Sequence, residues 1–302
     1  MDFKDMSYII AIEKYGNISK AAEALYLSQP SLSKFLQNLE KSIGQPLFKR
    51  IGNRYLPTYM GERYLEHARA ILQEKKDLDK EVSDIIKNDC GVLRVGFPDM
   101  RCTYMLPCTL PIFKKLFPNV KLEIKEANSS ELNNLVVNGE VDLAFFNFGE
   151  KHPNIEYQLI SHEELLMVMS PKHELANKGV VVEGCKYPHM DLHLLKDCDI
   201  ILQIPGQRTR QIVDRLFKEQ SFEPNIVLET SNIPAAAELA AKNYGIAFIT
   251  ETHLKHMHLR NEIRCFSVGS PFTPVDFVAA YRENTYLSKY AQEYMDIVRD
   301  FT

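Results

Sequence analysis

The 302-residue sequence predicts an α/β protein with an all-α head, a long connecting helix and a two-part α/β body. Three observations support this fold class. Apolar residues recur at helical spacing before residue 58, a proline-free stretch runs from Thr58 to about Asn88, and apolar strand-like runs then alternate with amphipathic helices. A chain of this length is expected to form two or three compact units.

Charge is divided unevenly along the chain. Residues 1–58 hold eight Lys or Arg and five Asp or Glu, a net of +3, whereas the whole chain carries −4, so the remainder carries −7. A cationic head on an acidic body is typical of a nucleic-acid-binding segment joined to another domain. The sequence has no apolar run near the roughly 20 residues that a membrane span needs, and its start shows no signal-peptide pattern. We therefore expect a cytoplasmic protein without a membrane partner.

Two short helices that meet at a tight turn are predicted between Asn17 and Glu40. Ser19 is the expected N-cap of the first helix, and Ser28 is the expected N-cap of the second. Pro30 is tolerated there because the N–H groups of a first helical turn have no partner within the helix. The apolar positions of the first helix lie three or four residues apart: Ile18, Ala21, Ala22 and Leu25.

The second helix of this pair has two distinct faces. Its apolar side contains Leu32, Phe35, Leu36 and Leu39, and its polar side contains Pro30, Ser33, Lys34 and Gln37. Short hydrogen-bonding side chains beside a cation suit the major groove of DNA, where base edges offer donors and acceptors. An ordinary amphipathic helix pair with a solvated face explains the same periodicity, so these residues alone leave both interpretations open.

An ordered series of motifs surrounds these helices between Ala11 and Leu65. It comprises Ala21-Ala22, Ser28-Gln29-Pro30-Ser31, Leu39-Glu40, Gly44, Leu47-Phe48, Arg50, Thr58 and Gly61. In this series, and without a gap, the chain resembles the LysR-type transcriptional regulators of bacteria. The resemblance implies a winged helix-turn-helix with Ser28 to Glu40 as its recognition helix. It also implies double-stranded DNA as a partner, RNA polymerase as a further candidate partner, and no catalytic residues.

A β-hairpin wing is predicted after Gly44, because Arg50 and Arg54 flank the turn residues Gly52-Asn53. Arginines on a wing suit the DNA backbone or a narrow minor groove. By itself such a hairpin is also explained as a surface loop with solvated charges. With the resemblance, the predicted DNA-binding residues are Ser28, Gln29, Pro30, Ser31, Ser33, Lys34, Gln37, Arg50 and Arg54.

A helix of about 30 residues, on the order of 45 Å long, is predicted to follow the wing. Its apolar positions are Leu65, Ala68, Leu72, Leu78, Val82 and Ile85, with Lys75 interrupting the stripe. Such a stripe favours a partner helix, although a helix lying along its own body explains it too. The resemblance implies a linker helix that joins two subunits, so we expect a homodimer or homotetramer. The predicted domains are therefore 1–58 for DNA binding, 59–89 for the linker and 90–302 for the effector.

The body shows strands alternating with helices, which predicts a largely parallel sheet. Its first half contains strands at Val92–Phe97, Val120–Glu126 and Val141–Phe146, a helix from Leu106 to Phe117, and a helix capped by Asn128. Its second half contains strands at Ile200–Ile204, Ile226–Glu229 and Ile246–Ile249, and helices at Thr209–Gln220 and Ile233–Asn243. A strand at Val275–Tyr281 and a helix from Tyr286 end the chain.

This layout resembles the effector domain of the same family, which is similar to the two-lobed periplasmic binding proteins. The resemblance places lobe I at about 90–160 and 267–302 and lobe II at about 161–266. In open α/β sheets, ligands bind outside the carboxyl ends of the strands, near helix N-termini that attract anions. We therefore predict an anionic small-molecule effector held by Asp99, Met100, Arg101, Asn128, Ser129, Gln203, Arg208, Thr209, Thr230, Ser231 and Thr250. Arg210 is a further cation near these ends, and a surface ion pair explains it equally well.

Other chemistry is not indicated by the sequence. It contains no GxSxG, Walker A, GxGxxG or HExxH motif, so we predict neither an enzyme nor a cofactor. Cys185, His189, His193 and Cys198 do not match a common zinc spacing, and we predict no metal site. His253, His256 and His258 are expected at the surface, and the six scattered cysteines are expected as thiols. The alternative function is a solute-binding or enzymatic α/β protein whose helical head mediates protein contacts.

Overall fold

The computed structural model describes residues 2–86 and 90–302, which form two compact units, Met1–Asn88 and Asp89–Thr302. The predicted linker end near Asn88 and the boundary at residue 89 lie outside the described residues. No described helix is both long enough and apolar enough to cross a bilayer.

The first unit is a helical head followed by a hairpin and a long helix. Its elements are α1 (Phe3–Tyr15), α2 (Ile18–Ala24), α3 (Gln29–Ile43), β1 (Phe48–Ile51), β2 (Arg54–Pro57) and α4 (Tyr59–Ile85). Ser28 caps α3 as predicted, but the cap of α2 is Asn17 and not Ser19. The Asn17 side-chain oxygen accepts from the N–H groups of Ser19 and Lys20, so Ser19 lies inside the first helical turn.

The apolar face of α3 forms the centre of the head. Leu32 and Leu36 are buried against Ile9 and Ile12 of α1, which confirms the predicted apolar side. The carboxylate of Glu40 accepts from the backbone N–H groups of Leu47 and Phe48 at 2.7 and 3.1 Å. Glu40 thereby ties the end of α3 to the start of the hairpin.

The apolar stripe of α4 divides into two parts. Leu65 and Ala68 are buried, and Leu65 belongs to the core of the head, so this half of the predicted stripe is already covered. Leu72 of the predicted stripe is half-buried, whereas Leu78 and Val82 are 58% and 43% exposed, and the neighbouring Ile71 is 40% exposed. The side chain of Ile85 lies outside the described set. The exposed half is therefore the part of α4 that has apolar surface available for another chain.

The second unit is built on one nine-stranded mixed sheet. Its strands are β3 (Gly91–Phe97), β4 (Val120–Glu126), β5 (Leu143–Asn147), β6 (Ile155–Met169), β7 (Asp199–Gln203), β8 (Asn225–Thr230), β9 (Ile246–Thr250), β10 (Arg264–Ser267) and β11 (Thr273–Arg282). Its helices are α5 (Asp99–Leu116), α6 (Ser129–Val137), α7 (Arg208–Glu219), α8 (Ile233–Ala241), α9 (Glu251–His256) and α10 (Lys289–Phe301), and a short 3₁₀ turn spans Leu192–Leu195.

The sheet has two parallel parts joined by antiparallel strands. The strand order is β4-β3-β5-β11-β6-β9-β7-β8, with β10 paired to β6. β3, β4 and β5 run parallel, as do β7, β8 and β9, whereas β6 and β11 pair antiparallel with each other and with their neighbours. The prediction of a largely parallel sheet is therefore wrong for the centre of the sheet, because it did not include β6 and β10.

The two parallel parts carry separate cores, which is the predicted two-lobed arrangement. Phe97, Phe145 and Tyr294 belong to one core, and Met167, Ile200 and Phe248 belong to the other. β6 and β11 run through both halves, with a register shift between Phe277 and Val278. The boundaries near residues 161 and 266 stay a prediction.

Helix α5 begins seven residues before the predicted start at Leu106. Pro107 and Pro111 lie inside α5, and each lacks the N–H donor that a helical residue normally provides. Because α5 begins at Asp99, the predicted ligand residues Asp99, Met100 and Arg101 lie in a first helical turn and not in a loop.

Candidate functional site

The polar face of α3 lies opposite the core of the head. Gln29, Lys34 and Gln37 are exposed, and Ser33 is half-buried. Ser28 and Ser31 bond to each other at the start of α3. The Ser28 hydroxyl accepts from the Ser31 N–H at 3.3 Å and lies 2.7 Å from the Ser31 hydroxyl. These two serines shape the start of α3, and the exposed side chains beyond them are free to meet a ligand such as DNA.

The hairpin β1–β2 has a two-residue turn, as predicted. Gly52 takes a φ of +60°, which favours glycine. Arg50 Nε donates to the Gly52 carbonyl oxygen at 3.0 Å, which holds the guanidinium at the hairpin tip, and Arg54 is exposed on the facing strand. Tyr26, which the sequence interpretation does not single out, is 97% exposed in the turn before α3. The surface formed by these elements is cationic and polar.

A cavity of about 300 Å³ lies in the α/β unit, where the first turns of α5, α6, α7 and α8 converge. Backbone N–H groups of a first helical turn have no partner within the helix and carry partial positive charge, so they attract anions. Of the predicted residues, the lining includes Asp99, Met100, Arg101, Asn128, Ser129, Arg208, Thr209 and Ser231.

Three of the predicted effector residues, Gln203, Thr230 and Thr250, do not line the cavity. Gln203 is fully buried and its Nε2 donates to the Phe248 carbonyl oxygen at 3.0 Å. The Thr250 hydroxyl lies 2.7 Å from His253 Nδ1, and the Thr230 hydroxyl accepts from the Asn232 N–H at 3.1 Å. Thr230 and Thr250 thereby contact two residues of the lining, Asn232 and His253; the sequence interpretation does not name Asn232, and it places His253 at the surface.

Arg101 is 2% exposed and its charge is already paired. Its Nη2 donates to Asn147 Oδ1 and Glu163 Oε1, both at 2.5 Å, and its guanidinium carbon lies 3.8 Å from the Phe277 ring centroid. Burial alone would raise the pKa of Glu163, but the charge of Arg101 holds that pKa below its usual value. Arg101 thus keeps one buried donor, Nη1, that has no protein partner among the described residues.

Arg208 is the better-placed cation of the lining. Its Nη1 donates to Gln211 at 2.9 Å, and its buried Nε has no protein partner within the described ranges. Burial first, and then the charge of Arg215, lowers the pKa of Arg208 from its ordinary value. A Cβ on Gly149 would lie 3.1 Å from Arg208 Nη1, so the guanidinium reaches from α7 to the segment after β5.

Arg210 forms surface ion pairs and does not line the cavity. Its Nε donates to Asp214 at 2.7 Å and its Nη1 to Glu229 at 2.5 Å. The alternative of a surface ion pair for Arg210 is thus the one that the structure shows.

The prediction of surface histidines is wrong for His253. This ring is 5% exposed, and burial together with the charge of Arg101 lowers its pKa to about 4. His253 is therefore neutral near pH 7 and offers the cavity a hydrogen-bonding ring without charge. His256 is half-buried and His258 is exposed.

The six cysteines are free thiols. Burial raises the pKa of Cys102 to about 12 and that of Cys265 to about 11, so these two remain protonated near pH 7. Across residues 2–86 and 90–302, no three His, Cys, Asp or Glu side chains are grouped as metal ligands.

Comparisons with known proteins agree with this geometry. The model of the bacterial regulatory helix-turn-helix protein, lysR family, matches residues 3–62, and the model of the LysR substrate binding domain matches residues 87–302. The chain is 26% identical to an uncharacterized HTH-type transcriptional regulator, YcgK of Bacillus subtilis, over 99% of this chain and 94% of that protein.

Solved structures show the same fold. Full-length OxyR C199D from Pseudomonas aeruginosa matches with a TM-score of 0.73 and 20% identity over 99% of this chain and 94% of that chain. Full-length CbnR complexed with its target DNA matches with a TM-score of 0.60 and 23% identity over the full length of both chains. The two family models together span nearly the whole sequence, so the chain belongs to the LysR family as a DNA-binding transcriptional regulator with an effector-binding domain, and it is not an enzyme.

Proposed function

We propose that α3 reads operator DNA in the major groove and that a small anion in the cavity of the α/β unit adjusts this binding. The proposal that α3 reads DNA is supported by the two different faces of this helix. Leu32 and Leu36 are buried, whereas Gln29, Lys34 and Gln37 are exposed beside a cationic hairpin. A helix whose apolar face packs inside the head and whose polar face is exposed can enter the major groove while the core of the head stays intact.

Individual side chains suit different parts of the duplex. The amide of Gln29, at the N-terminal end of α3, can donate to and accept from one base edge, and Lys34 can donate to guanine or phosphate. Arg50 and Arg54 on the hairpin suit phosphates or the minor groove. Pro30, Ser33 and Gln37 complete the proposed contact face.

Gln29→Ala should change sequence preference, and Arg50→Gln should weaken binding to all sequences alike. A base contact carries discrimination of about 1–3 kcal/mol, whereas a phosphate contact contributes about one unit to the slope of log affinity against log salt. Fluorescence anisotropy with selected and scrambled duplexes across a salt series measures both. Lys242→Gln removes the same charge outside the head and should leave both quantities unchanged; equal losses in all three variants would contradict the assignment.

The cavity is proposed to hold the effector. Its size of about 300 Å³ suits a small metabolite, and first-turn N–H groups, Arg208 and the remaining donor of Arg101 favour an anion. Contacts from both lobes would favour a closed arrangement, since a ligand stabilises the state that it binds more tightly. The proposed domains remain 1–58, 59–89 and 90–302.

A homo-oligomer is proposed to form through the exposed half of α4. Leu78→Glu should dissociate the oligomer, because a carboxylate would replace an apolar side chain that is 58% exposed in the single chain. DNA affinity should then fall by about tenfold or more, because two heads no longer bind together. Sedimentation velocity measures the assembly. Ala70→Glu adds the same charge at an exposed position outside the stripe; dissociation by both variants, or by neither, would contradict the proposal.

Because the proposed regulator acts on chromosomal DNA, we also propose where it works and a further partner. The protein would work in the cytoplasm, and RNA polymerase would be its partner at promoters. The alternative of a solute-binding or enzymatic protein is disfavoured because both family models match regulators.

A further inference from the structure

A second cavity of about 510 Å³ lies beside the first in the α/β unit. Its walls are α5, the start of α8, the end of α9 with the segment that follows, and the end of α10. Met100 lines both cavities, and the other residues that line the second cavity do not line the first. None of the predicted effector residues other than Met100 belongs to it.

A stack of flat rings forms one side of the second cavity. The Tyr104 and His256 ring centroids are 4.6 Å apart with an interplanar angle of 6°, and His256 and Phe301 are 5.1 Å apart at 27°. Pro107, Met257 and other apolar side chains continue this surface. Flat, apolar and polarizable walls favour a planar ring over a flexible polar ligand.

Two buried polar atoms in this stack have no protein partner in the described part of the chain: Tyr104 Oη and His256 Nε2. Buried polar groups are rarely left without a partner, because each such group destabilises the fold by about 1–3 kcal/mol. Both residues line the second cavity, and because these two atoms are themselves buried, the rest of each side chain is what a ligand would meet.

A cation, Lys255, and a carboxylate, Glu238, line the second cavity. Lys255 and His258 are exposed in its lining, and the Lys255 ammonium makes a long contact of 3.4 Å to the Thr302 carbonyl oxygen. The carboxylate of Glu238 already accepts from the Arg260 N–H at 2.5 Å and from Asn261 at 3.0 Å. An acidic group on the ligand is therefore complementary to the side chains that remain available.

We propose that this second cavity binds a planar aromatic acid, with the ring against the Tyr104–His256–Phe301 stack and the acid toward Lys255. This site is separate from the effector cavity and does not depend on the identity of that effector. Because Met100 lies in both walls, occupation of one cavity should alter affinity at the other.

The test uses the full-length protein and two fluorescent probes of one shape, anilinonaphthalene sulfonate and its uncharged analogue phenylnaphthylamine. Cys108→Trp fills the second cavity from the exposed side of α5, and Lys115→Trp adds the same ring to α5 outside it. Ser129→Phe fills the effector cavity instead. Near-ultraviolet circular dichroism checks that each variant is folded.

Cys108→Trp should lower the binding affinity of both probes by about tenfold or more. Lys115→Trp and Ser129→Phe should each keep at least one high-affinity probe site. Lys255→Gln should weaken the sulfonate several-fold more than the uncharged analogue. Loss of probe binding in Ser129→Phe but not in Cys108→Trp would assign the probe to the effector cavity and overturn the proposal. Equal binding by all folded variants would show non-specific adsorption only and would overturn it as well.

Discussion

Replacing Arg101 with methionine should destabilise the α/β unit by about 3–5 kcal/mol, because Glu163 would remain buried without its cation. Glu163 is 6% exposed and its carboxylate accepts from Arg101 at 2.5 Å. The loss should be visible as a lower urea midpoint for the transition of this unit. The double variant Arg101→Met/Glu163→Met removes both charges and should recover most of the lost stability.

The pH dependence separates this explanation from a simple packing defect. In the native protein the pKa of Glu163 is lowered, so the ion pair contributes stability above the ordinary carboxyl pKa, and that contribution is lost as pH falls through the lowered value. Without Arg101, burial raises the pKa of Glu163. The single variant should therefore regain stability relative to the native protein as pH falls. If the single and double variants lost equal stability at every pH, the unpaired-charge explanation would be wrong.

Gly61→Ala should destabilise the head by about 3 kcal/mol, near the upper end for overpacking in a close contact. A Cβ at Gly61 would lie 2.0 Å from the Leu47 carbonyl oxygen and 3.0 Å from its carbon. These are backbone atoms that cannot rotate away, and the Gly61 N–H is also fixed by the Thr58 hydroxyl at 3.0 Å.

Thermal unfolding followed by circular dichroism, with DNA binding as a second readout, measures the effect of Gly61→Ala. The neighbouring Met60 is 43% exposed, so Met60→Ala is a matched control that should change stability little. A Gly61→Ala protein with native stability would show that α4 and Leu47 are not held in this contact.

Local patterns predicted the packed face of α3 and the hairpin, whereas the winged helix-turn-helix was implied by the family resemblance. The helical spacing of Leu32 and Leu36 identified the packed face of α3, and a glycine-asparagine turn between arginines identified the hairpin. The cap of α2 was missed because Asn17 and Ser19 are both good N-caps, and only the backbone geometry decides between them.

The centre of the sheet could not be predicted from local patterns. β6 buries Glu163 and Glu164 inside a strand, and two carboxylates interrupt the apolar run that normally identifies a buried strand. Glu163 is tolerated there because Arg101, 62 positions away in sequence, pairs with it. A contact at that separation leaves no local signal.

The lining of the cavity that is proposed for the effector was predicted in part. The rule that ligands lie at strand carboxyl ends located most of the lining, but it does not say in which direction each side chain points. Gln203, Thr230 and Thr250 lie at the correct edge and point into supporting hydrogen bonds, whereas His253 on α9 lines the cavity. Side-chain direction depends on backbone geometry that the sequence pattern does not determine.

Control of DNA binding by an anion is tested by a footprint of the full-length protein on the DNA upstream of its own coding region, with and without a panel of small carboxylates and phosphates. At least one anion should change the length or affinity of the footprint for the native protein and for Arg215→Gln, which removes an exposed charge from the same helix. Arg208→Gln should keep the footprint and lose the response. A response that survives in Arg208→Gln, or a footprint that no anion changes, would contradict control by an anion in this cavity.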